Sequence, residues 1–174
     1  VIDSHCHIYP EKIASKAVGG TDRFYDIVSK CEGTIDDLLE RGKKAGVDHF
    51  IVQSVATTPH QVRSINEFIR RECEAHPEFI GFITLHQDLS DEEILAEIDF
   101  ALENNLKGIK LHPDFQQFAL NSEKAFRLGE VINKGNVPVL IHCGDFRYDY
   151  SNPEQLKPFL EKFPDMLVIG AHFA

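Results

Sequence analysis

VIDSHCHIYP, residues 1–10, is the stretch that decides between the folds open to this chain. A short apolar run leads into two histidines that are separated by one residue. Because side chains alternate along a strand, His5 and His7 share one face with Asp3, and Cys6 lies on the other face. Two imidazoles on one face at a strand end can reach a single metal ion, although the same pattern also occurs where polar residues begin a loop.

Five further apolar or β-branched runs follow, and each has the length of a short strand buried on both faces of a parallel sheet. The six runs are VIDSH (1–5), HFIVQS (49–54), FIGFITL (79–85), GIKLH (108–112), VPVLIH (137–142) and MLVIGAH (166–172). Their alternation with helical patterns fits an open doubly wound sheet or most of an eight-stranded β/α barrel. A nucleotide-binding doubly wound sheet needs a glycine-rich loop after its first strand. This chain has HCHIYP there, which favours the barrel.

The helical patterns between the strands carry clear end signals. Ser90 and Glu93 form a capping box ahead of a periodic apolar segment, and Thr34 caps a helix that Gly46 closes. The remaining segments are predicted as follows: helices in 58–77, 121–135 and 152–164, the last with Pro158 inside it, and a loop with a short helix in 6–33.

The composition limits the classes of partner. The 174 residues carry a formal net charge of −10 at pH 7, which argues against nucleic acid or an anionic membrane as main partner, since both need basic patches. No run of about 18 apolar residues predicts a membrane-spanning helix, and the first residues, which lack a methionine, show no secretory signal. The four cysteines form no CxxC pair, which favours free thiols and a cytoplasmic protein.

Three more histidines, His112, His142 and His172, end predicted strands. The carboxyl ends of barrel strands form the active site, so these residues and the first-strand pair are expected to meet at one mouth. Histidines that only bind carbonyl groups at strand ends are the alternative, but this explanation needs four coincidences at one layer of the fold. Neutral imidazole is the commonest zinc ligand, and catalytic zinc keeps three protein ligands and an open position. The other histidines are expected to be solvated or hydrogen-bonded: His49, His60, His76 and His86.

At these residues the sequence resembles the amidohydrolase superfamily of metal-dependent barrels. VIDSHCH is similar to the first-strand D-x-H-x-H signature of that superfamily. GIKLHPDFQ, VPVLIHCGD and LVIGAH resemble fourth-, fifth- and sixth-strand segments of the amidohydrolase-related branch, which also contains aminocarboxymuconate-semialdehyde decarboxylase. The resemblance extends over almost the whole chain. It implies an α/β fold of the (β/α)8 TIM-barrel type, of which this chain holds about the first six β/α units.

The resemblance also implies roles for individual side chains. His5, His7 and His142 bind the metal in this interpretation, and His172 either binds a second metal or holds and deprotonates the attacking water. In members with two metals a carbamylated lysine on the fourth strand bridges them, whereas in the amidohydrolase-related branch the lysine of a G-x-K-x-H segment binds a substrate carboxylate. We favour one metal, with Lys110 as a catalytic and substrate-binding residue.

His112 and Arg147, which lies on the loop after the fifth strand, complete the substrate-binding residues expected from the sequence. The expected cofactor is a divalent metal, zinc in the first place, with manganese left open. Asp3 is expected to orient a metal ligand by a hydrogen bond. Family members complete their site with an aspartate at the end of the eighth strand. We therefore expect residues 1–174 to be a single amidohydrolase-related domain, truncated at its C-terminus.

Three functions stay open on the sequence. In a metal-dependent hydrolase, a metal-activated water attacks a carbonyl of a small substrate. In a non-oxidative decarboxylase, the same scaffold acts on an unsaturated or aromatic carboxylic acid. The third is a catalytically silent β/α metal-binding protein. The expected partner is a small molecule, with carboxylates among the candidates, and no nucleic acid or membrane partner is expected. Self-association into a homo-oligomer is left open.

Overall fold

A computed structural model describes residues 1–173, the last of them by its backbone alone. Its six strands are parallel and lie in sequence order in one sheet, each hydrogen-bonded to the next. The strands are β1 (Ile2–His7), β2 (His49–Gln53), β3 (Phe79–Thr84), β4 (Gly108–Leu111), β5 (Val139–Ile141) and β6 (Val168–Gly170). The sheet curls into a half-barrel with alternating helices, which confirms the predicted TIM-barrel type of fold with about six β/α units.

Seven α-helices connect the strands of the described chain. They are α1 (Glu11–Tyr25), α2 (Ile35–Ala45), α3 (Val62–Ala75), α4 (Asp91–Glu103), α5 (Pro113–Gln116), α6 (Glu123–Gly135) and α7 (Pro153–Lys162). Two 3₁₀ turns add Pro59–Gln61 and Ala171–Phe173. Among the described helices, none is long and apolar enough to cross a lipid bilayer.

The two faces of the sheet bury different side chains. The face under the helices contributes to the main hydrophobic core, with Phe50, Val52, Ile109, Val139 and Ile141. The concave inner face holds a smaller cluster, formed by Phe82, Leu140 and Ala171 with Ile51 and Ile80 packed against it. Because side chains alternate, every second residue of each strand points into the half-barrel. The functional side chains described below extend this inner face at the carboxyl ends of the strands.

Residues 6–33 correct one prediction. Instead of a loop with a short helix, β1 continues to His7 and a helix of 15 residues follows as α1. Gly19 and Gly20 in its middle lower the helix propensity, which is why the segment looks irregular in sequence. Ala14 is the one fully buried residue of this helix and the others are half-buried or exposed, so the pattern has no broad buried apolar face. The helix places its last residue, Tyr25, near the strand-end histidines.

Three of the strand-end histidines lie just beyond the strands rather than in them. β4 ends at Leu111, and His112 is the N-cap of the short helix α5. His142 directly follows β5. His172 lies in the 3₁₀ turn after β6, with a left-handed φ of 60°. The predicted strands therefore extend one or two residues too far at their carboxyl ends, but the carboxyl-end position of each histidine is as expected.

The structure contains the helix caps that the sequence predicts, but the predicted bounds of the helices differ in places. Thr34 accepts a hydrogen bond from the Asp37 amide, and the capping box of Ser90 and Glu93 is formed. In the segment 58–77, a 3₁₀ turn precedes α3. Pro158 lies inside α7 without ending it.

Candidate active site

Five histidines from β1 and from the ends of β4, β5 and β6 line up at the carboxyl end of the sheet. Successive ring centroids are 5.2 Å apart for His7 and His5, 5.0 Å for His5 and His172, and 4.8 Å for His172 and His142. His112 stacks on His142 at 3.8 Å. The row lies at the wall of an open cleft of about 1250 Å³. The prediction that these side chains meet at one mouth thus corresponds to the geometry.

The first-strand pair forms the deeper part of the row. The Nε2 atoms of His5 and His7 lie 3.2 Å apart, as the strand alternation requires for two side chains on one face. The Nζ of Lys110 lies 3.1 Å from the Nε2 of His5. The Asp3 carboxylate accepts a hydrogen bond of 3.2 Å from the His5 backbone amide, so it orders the strand beside His5 and His7 rather than bonding to an imidazole.

His112 owes its position to the turn between β4 and α5. Pro113 occupies the first helical position, and the Nδ1 of His112 accepts from the Phe115 amide at 3.4 Å. The side chain of Gln116 accepts from the His112 amide and donates to the carbonyl groups of Ala56 and Leu85. These buried hydrogen bonds attach the turn to the ends of the neighbouring strands, which fixes the imidazole.

His142 contacts other site residues through both of its ring nitrogens. Its Nδ1 lies 3.2 Å from the Nε2 of His172, and its own Nε2 lies 3.2 Å from the hydroxyl of Tyr25. The same hydroxyl is 3.1 Å from the Nε2 of His112. A carboxylate oxygen of Asp114 approaches the Nε2 of His142 to 3.7 Å.

Burial keeps these imidazoles uncharged near neutral pH. Desolvation, with the Lys110 charge as the next cause, lowers the pKa of both His5 and His142 to about 3. Desolvation also lowers the pKa of His7 and of His112 well below its ordinary value. The contact of His142 with Asp114 is therefore not an ion pair. Neutral imidazole is the form that binds a metal ion.

Lys110 is fully buried and carries a perturbed pKa. Desolvation lowers the pKa of its ammonium group to about 7, so part of the population is neutral at physiological pH. Among the described residues it forms no ion pair. Its amine lies behind His5 rather than on the wall of the cleft. Its predicted roles in catalysis and in binding a substrate carboxylate stay predictions.

Arg147 is engaged by neighbouring protein groups. Its guanidinium donates to both carboxylate oxygens of Asp145, at 3.0 and 2.7 Å, and to the carbonyl of Phe24. It also lies over the rings of Phe24 and Tyr25, 4.6 and 5.0 Å from their centroids. The arginine thereby attaches the loop after β5 to the end of α1. It lines the cleft, and its contact with a substrate stays a prediction.

The donor set fits a divalent transition metal. Neutral imidazole nitrogens together with a carboxylate suit zinc and similar ions. Within the described chain, one nitrogen each of His112 and His142 and one carboxylate oxygen of Asp114 lie within 4.8 Å of one another. The other oxygen of Asp114, Oδ1, is buried without a hydrogen-bond partner among the described residues. A metal ion or a hydrogen-bond donor bound in the site would give this oxygen of Asp114 its partner.

Sequence reasoning missed two members of the site, Tyr25 and Asp114. Asp114 is two residues beyond His112 in the HPDF stretch, so the pattern H-x-D was visible as a weak signal. It is held by Ser151, whose hydroxyl donates to its Oδ2 at 2.6 Å. No local signal marks Tyr25, because it reaches the site from the end of a helix that the sequence pattern does not predict.

Comparison with known proteins places the chain among its relatives. A family model described as amidohydrolase matches residues 2–174. The chain belongs to the amidohydrolase family. Members of this family are metal-dependent, in agreement with the group that His112, Asp114 and His142 form. Among curated proteins, none matches the sequence.

Solved structures share the fold at low sequence identity. An uncharacterised TIM-barrel protein from Bordetella bronchiseptica has a TM-score of 0.71 at 14% identity, with 98% of this chain and 66% of that chain covered. A 5-carboxyvanillate decarboxylase from Sphingomonas paucimobilis has a TM-score of 0.73 at 12% identity and the same coverage. A 4-oxalomesaconate hydratase from Rhodopseudomonas palustris has a TM-score of 0.63 at 16% identity, with 99% and 62% covered. The chain thus spans 62–66% of the length of these barrels, less than two thirds of each.

Proposed function

We propose that this chain carries the metal site of a metal-dependent hydrolase that acts on a carbonyl group of a small molecule. The observation that carries the proposal is the row of five imidazoles at one end of the sheet, four of which burial holds uncharged at neutral pH. Burying so many imidazoles beside one cleft is costly unless their nitrogens find partners, and a metal ion is such a partner.

His5, His7 and His142 are the proposed ligands, and zinc is the metal that this set suits best, with manganese as the alternative. Side chains of β1, one edge strand of the half-barrel, and of the residue after β5, the strand next to the other edge, supply the three nitrogens. A divalent ion would supply Lewis-acid activation of a water molecule or of a carbonyl group. Asp114 supplies a further donor beside His142, and His112 lies in the same group.

His172 is the proposed base. Burial lowers its pKa below the ordinary value, so it is unprotonated at neutral pH and able to take a proton from water. Its Nε2 faces the Nδ1 of His142, and this hydrogen bond also orients the metal ligand. The base function needs that bond to open when substrate enters the cleft.

Decarboxylation of a carboxylic acid is the second candidate reaction. Lys110 is a buried amine without an ion pair among the described residues, and a substrate carboxylate is a chemically suitable partner for its charged form. The similar barrels include the 5-carboxyvanillate decarboxylase and the 4-oxalomesaconate hydratase, both named for carboxylated compounds. Carboxylated substrates are therefore the first compounds to assay in either reaction.

The test combines metal content with a substrate panel. We expect the full-length protein to bind about one zinc per chain. We expect His5→Ala to lose both the metal and turnover, whereas His76→Ala, at the end of α3, changes neither. Ester, lactone and amide hydrolysis are measured beside carbon dioxide release from aromatic and unsaturated carboxylates. Equal effects of the two substitutions contradict the proposed site, and carbon dioxide release without hydrolysis favours the second reaction.

A further inference from the structure

Tyr25 occupies an unexpected position at the metal-binding nitrogens. It is the last residue of α1, and its hydroxyl lies between the Nε2 atoms of His112 and His142, at 3.1 and 3.2 Å. The ring is held by the guanidinium of Arg147, which Asp145 holds in turn. The two imidazoles and the arginine therefore fix the position of the hydroxyl.

The hydrogen bonds of this hydroxyl have a direction. A backbone amide can only donate, so the contact from the Phe115 amide makes the Nδ1 of His112 an acceptor. A neutral His112 then carries its proton on Nε2 and donates to the oxygen of Tyr25. The phenol has one hydrogen, and the remaining partner is the Nε2 of His142, which accepts it.

The nitrogen that accepts from Tyr25 is the one that a metal ion needs. The Nδ1 of His142 is hydrogen-bonded to His172, whereas its Nε2 lies 3.7 Å from the Asp114 carboxylate, on the side where His112, Asp114 and His142 form the group that could hold an ion. A zinc–nitrogen bond is about 2.0–2.1 Å long, so an ion in line between that nitrogen and the phenol oxygen would lie only about 1 Å from the oxygen. The hydrogen bond and the metal bond are therefore mutually exclusive.

We propose that Tyr25 occupies the Nε2 of His142 in the metal-free protein, and that metal binding displaces its hydroxyl toward the cleft, which the tyrosine lines. The proposal rests on the proposed function in taking His142 as a metal ligand. It makes Tyr25 a residue that lowers the metal affinity of the empty site. The ring remains held by Arg147, so the displacement is a short movement of the hydroxyl end.

The test is the zinc affinity of metal-free full-length protein, measured in competition with a chromophoric chelator. Tyr25→Phe keeps the ring and removes the competing hydrogen bond, so we expect zinc to bind about three- to tenfold more tightly. Tyr148→Phe is the matched control. It belongs to the same aromatic cluster, with its ring 5.6 Å from that of Phe24, and its affinity should equal that of the unsubstituted protein.

Tyrosine emission gives an independent measurement, because the chain has four tyrosines and no tryptophan. Zinc should change the emission of the unsubstituted protein and of Tyr148→Phe, and the change should be much smaller in Tyr25→Phe. Unchanged or weaker zinc binding by Tyr25→Phe overturns the inference while the proposed metal site stands. Lack of zinc binding by all three proteins overturns the proposed function and the inference together.

Discussion

At the scale of single residues, the site is a set of imidazoles whose second nitrogens are already engaged. His142 is the clearest case, with His172 on one nitrogen and Tyr25 on the other. Metal-binding histidines in proteins usually have such a partner, because it fixes the tautomer and the direction of the ring. The chemistry of the site therefore depends on residues that touch the proposed ligands as much as on the ligands themselves.

The hydrogen bond from His142 to His172 leads to a prediction at this scale. His172→Ala removes the partner that orients His142, so zinc affinity should fall roughly 10- to 100-fold and turnover should fall with it. His60→Ala is the control, because this exposed histidine lies in the 3₁₀ turn before α3. A variant that keeps full zinc affinity but loses turnover would restrict His172 to the base function.

At the scale of elements, a buried polar group joins two helices to the sheet beside the site. The amide of Asn66 on α3 donates to the carbonyl of Thr84 at 3.1 Å and to the carboxylate of Glu97 on α4 at 2.8 Å. It also accepts from the Thr84 amide at 2.8 Å. Arg63 pairs with the same glutamate at 2.9 Å. The group sets the position of α3 and α4 against the end of β3.

Removing the centre of this group should destabilise the fold without touching the cleft. Asn66→Ala leaves the buried Thr84 amide without its partner and the Glu97 carboxylate with Arg63 alone, so we expect the free energy of unfolding to fall by about 2–4 kcal/mol. Asn121→Ala, at an exposed position before α6, should change it by less than about 0.5 kcal/mol. Urea unfolding measures both. A loss no greater for Asn66 than for Asn121 would mean that water replaces the amide at no cost.

The same scale shows how far sequence reasoning reaches. The caps at Thr34 and Ser90 were predictable because they depend on residues three positions apart. The six strands were predictable from their apolar composition. Helix α1 was not, because Gly19 and Gly20 interrupt the segment and lower its helix propensity.

The same limit applies to the site. The histidines were predictable from strand parity and strand ends, since both are local properties of the sequence. Tyr25 was not predictable, because its partners are 87 and 117 residues away along the chain. The curling of the sheet brings such distant residues together, and no local pattern of residues specifies these contacts.

At the scale of the whole molecule, the half-barrel has two edge strands. Among the described residues, β1 and β6 each pair with a strand on one side only. The concave face between them presents apolar side chains to solvent, such as Ile169, which pairs in register with Leu140 of the inner cluster. An open edge next to an apolar face favours pairing with another copy of the chain.

We therefore predict that residues 1–174, made alone, self-associate in a concentration-dependent way and show poor solubility. Ile169→Lys places a charge on the inner face at the edge strand and should shift the protein toward the monomer in sedimentation velocity experiments. Leu95→Lys is a closely matched control, because Leu95 and Ile169 are both 38% exposed and Leu95 lies on helix α4 instead of the sheet. If both substitutions reduce association equally, general surface charge is the cause. If the unsubstituted chain stays monomeric and unfolds cooperatively at all concentrations, the half-barrel is a stable unit and its edges are not the sites of association.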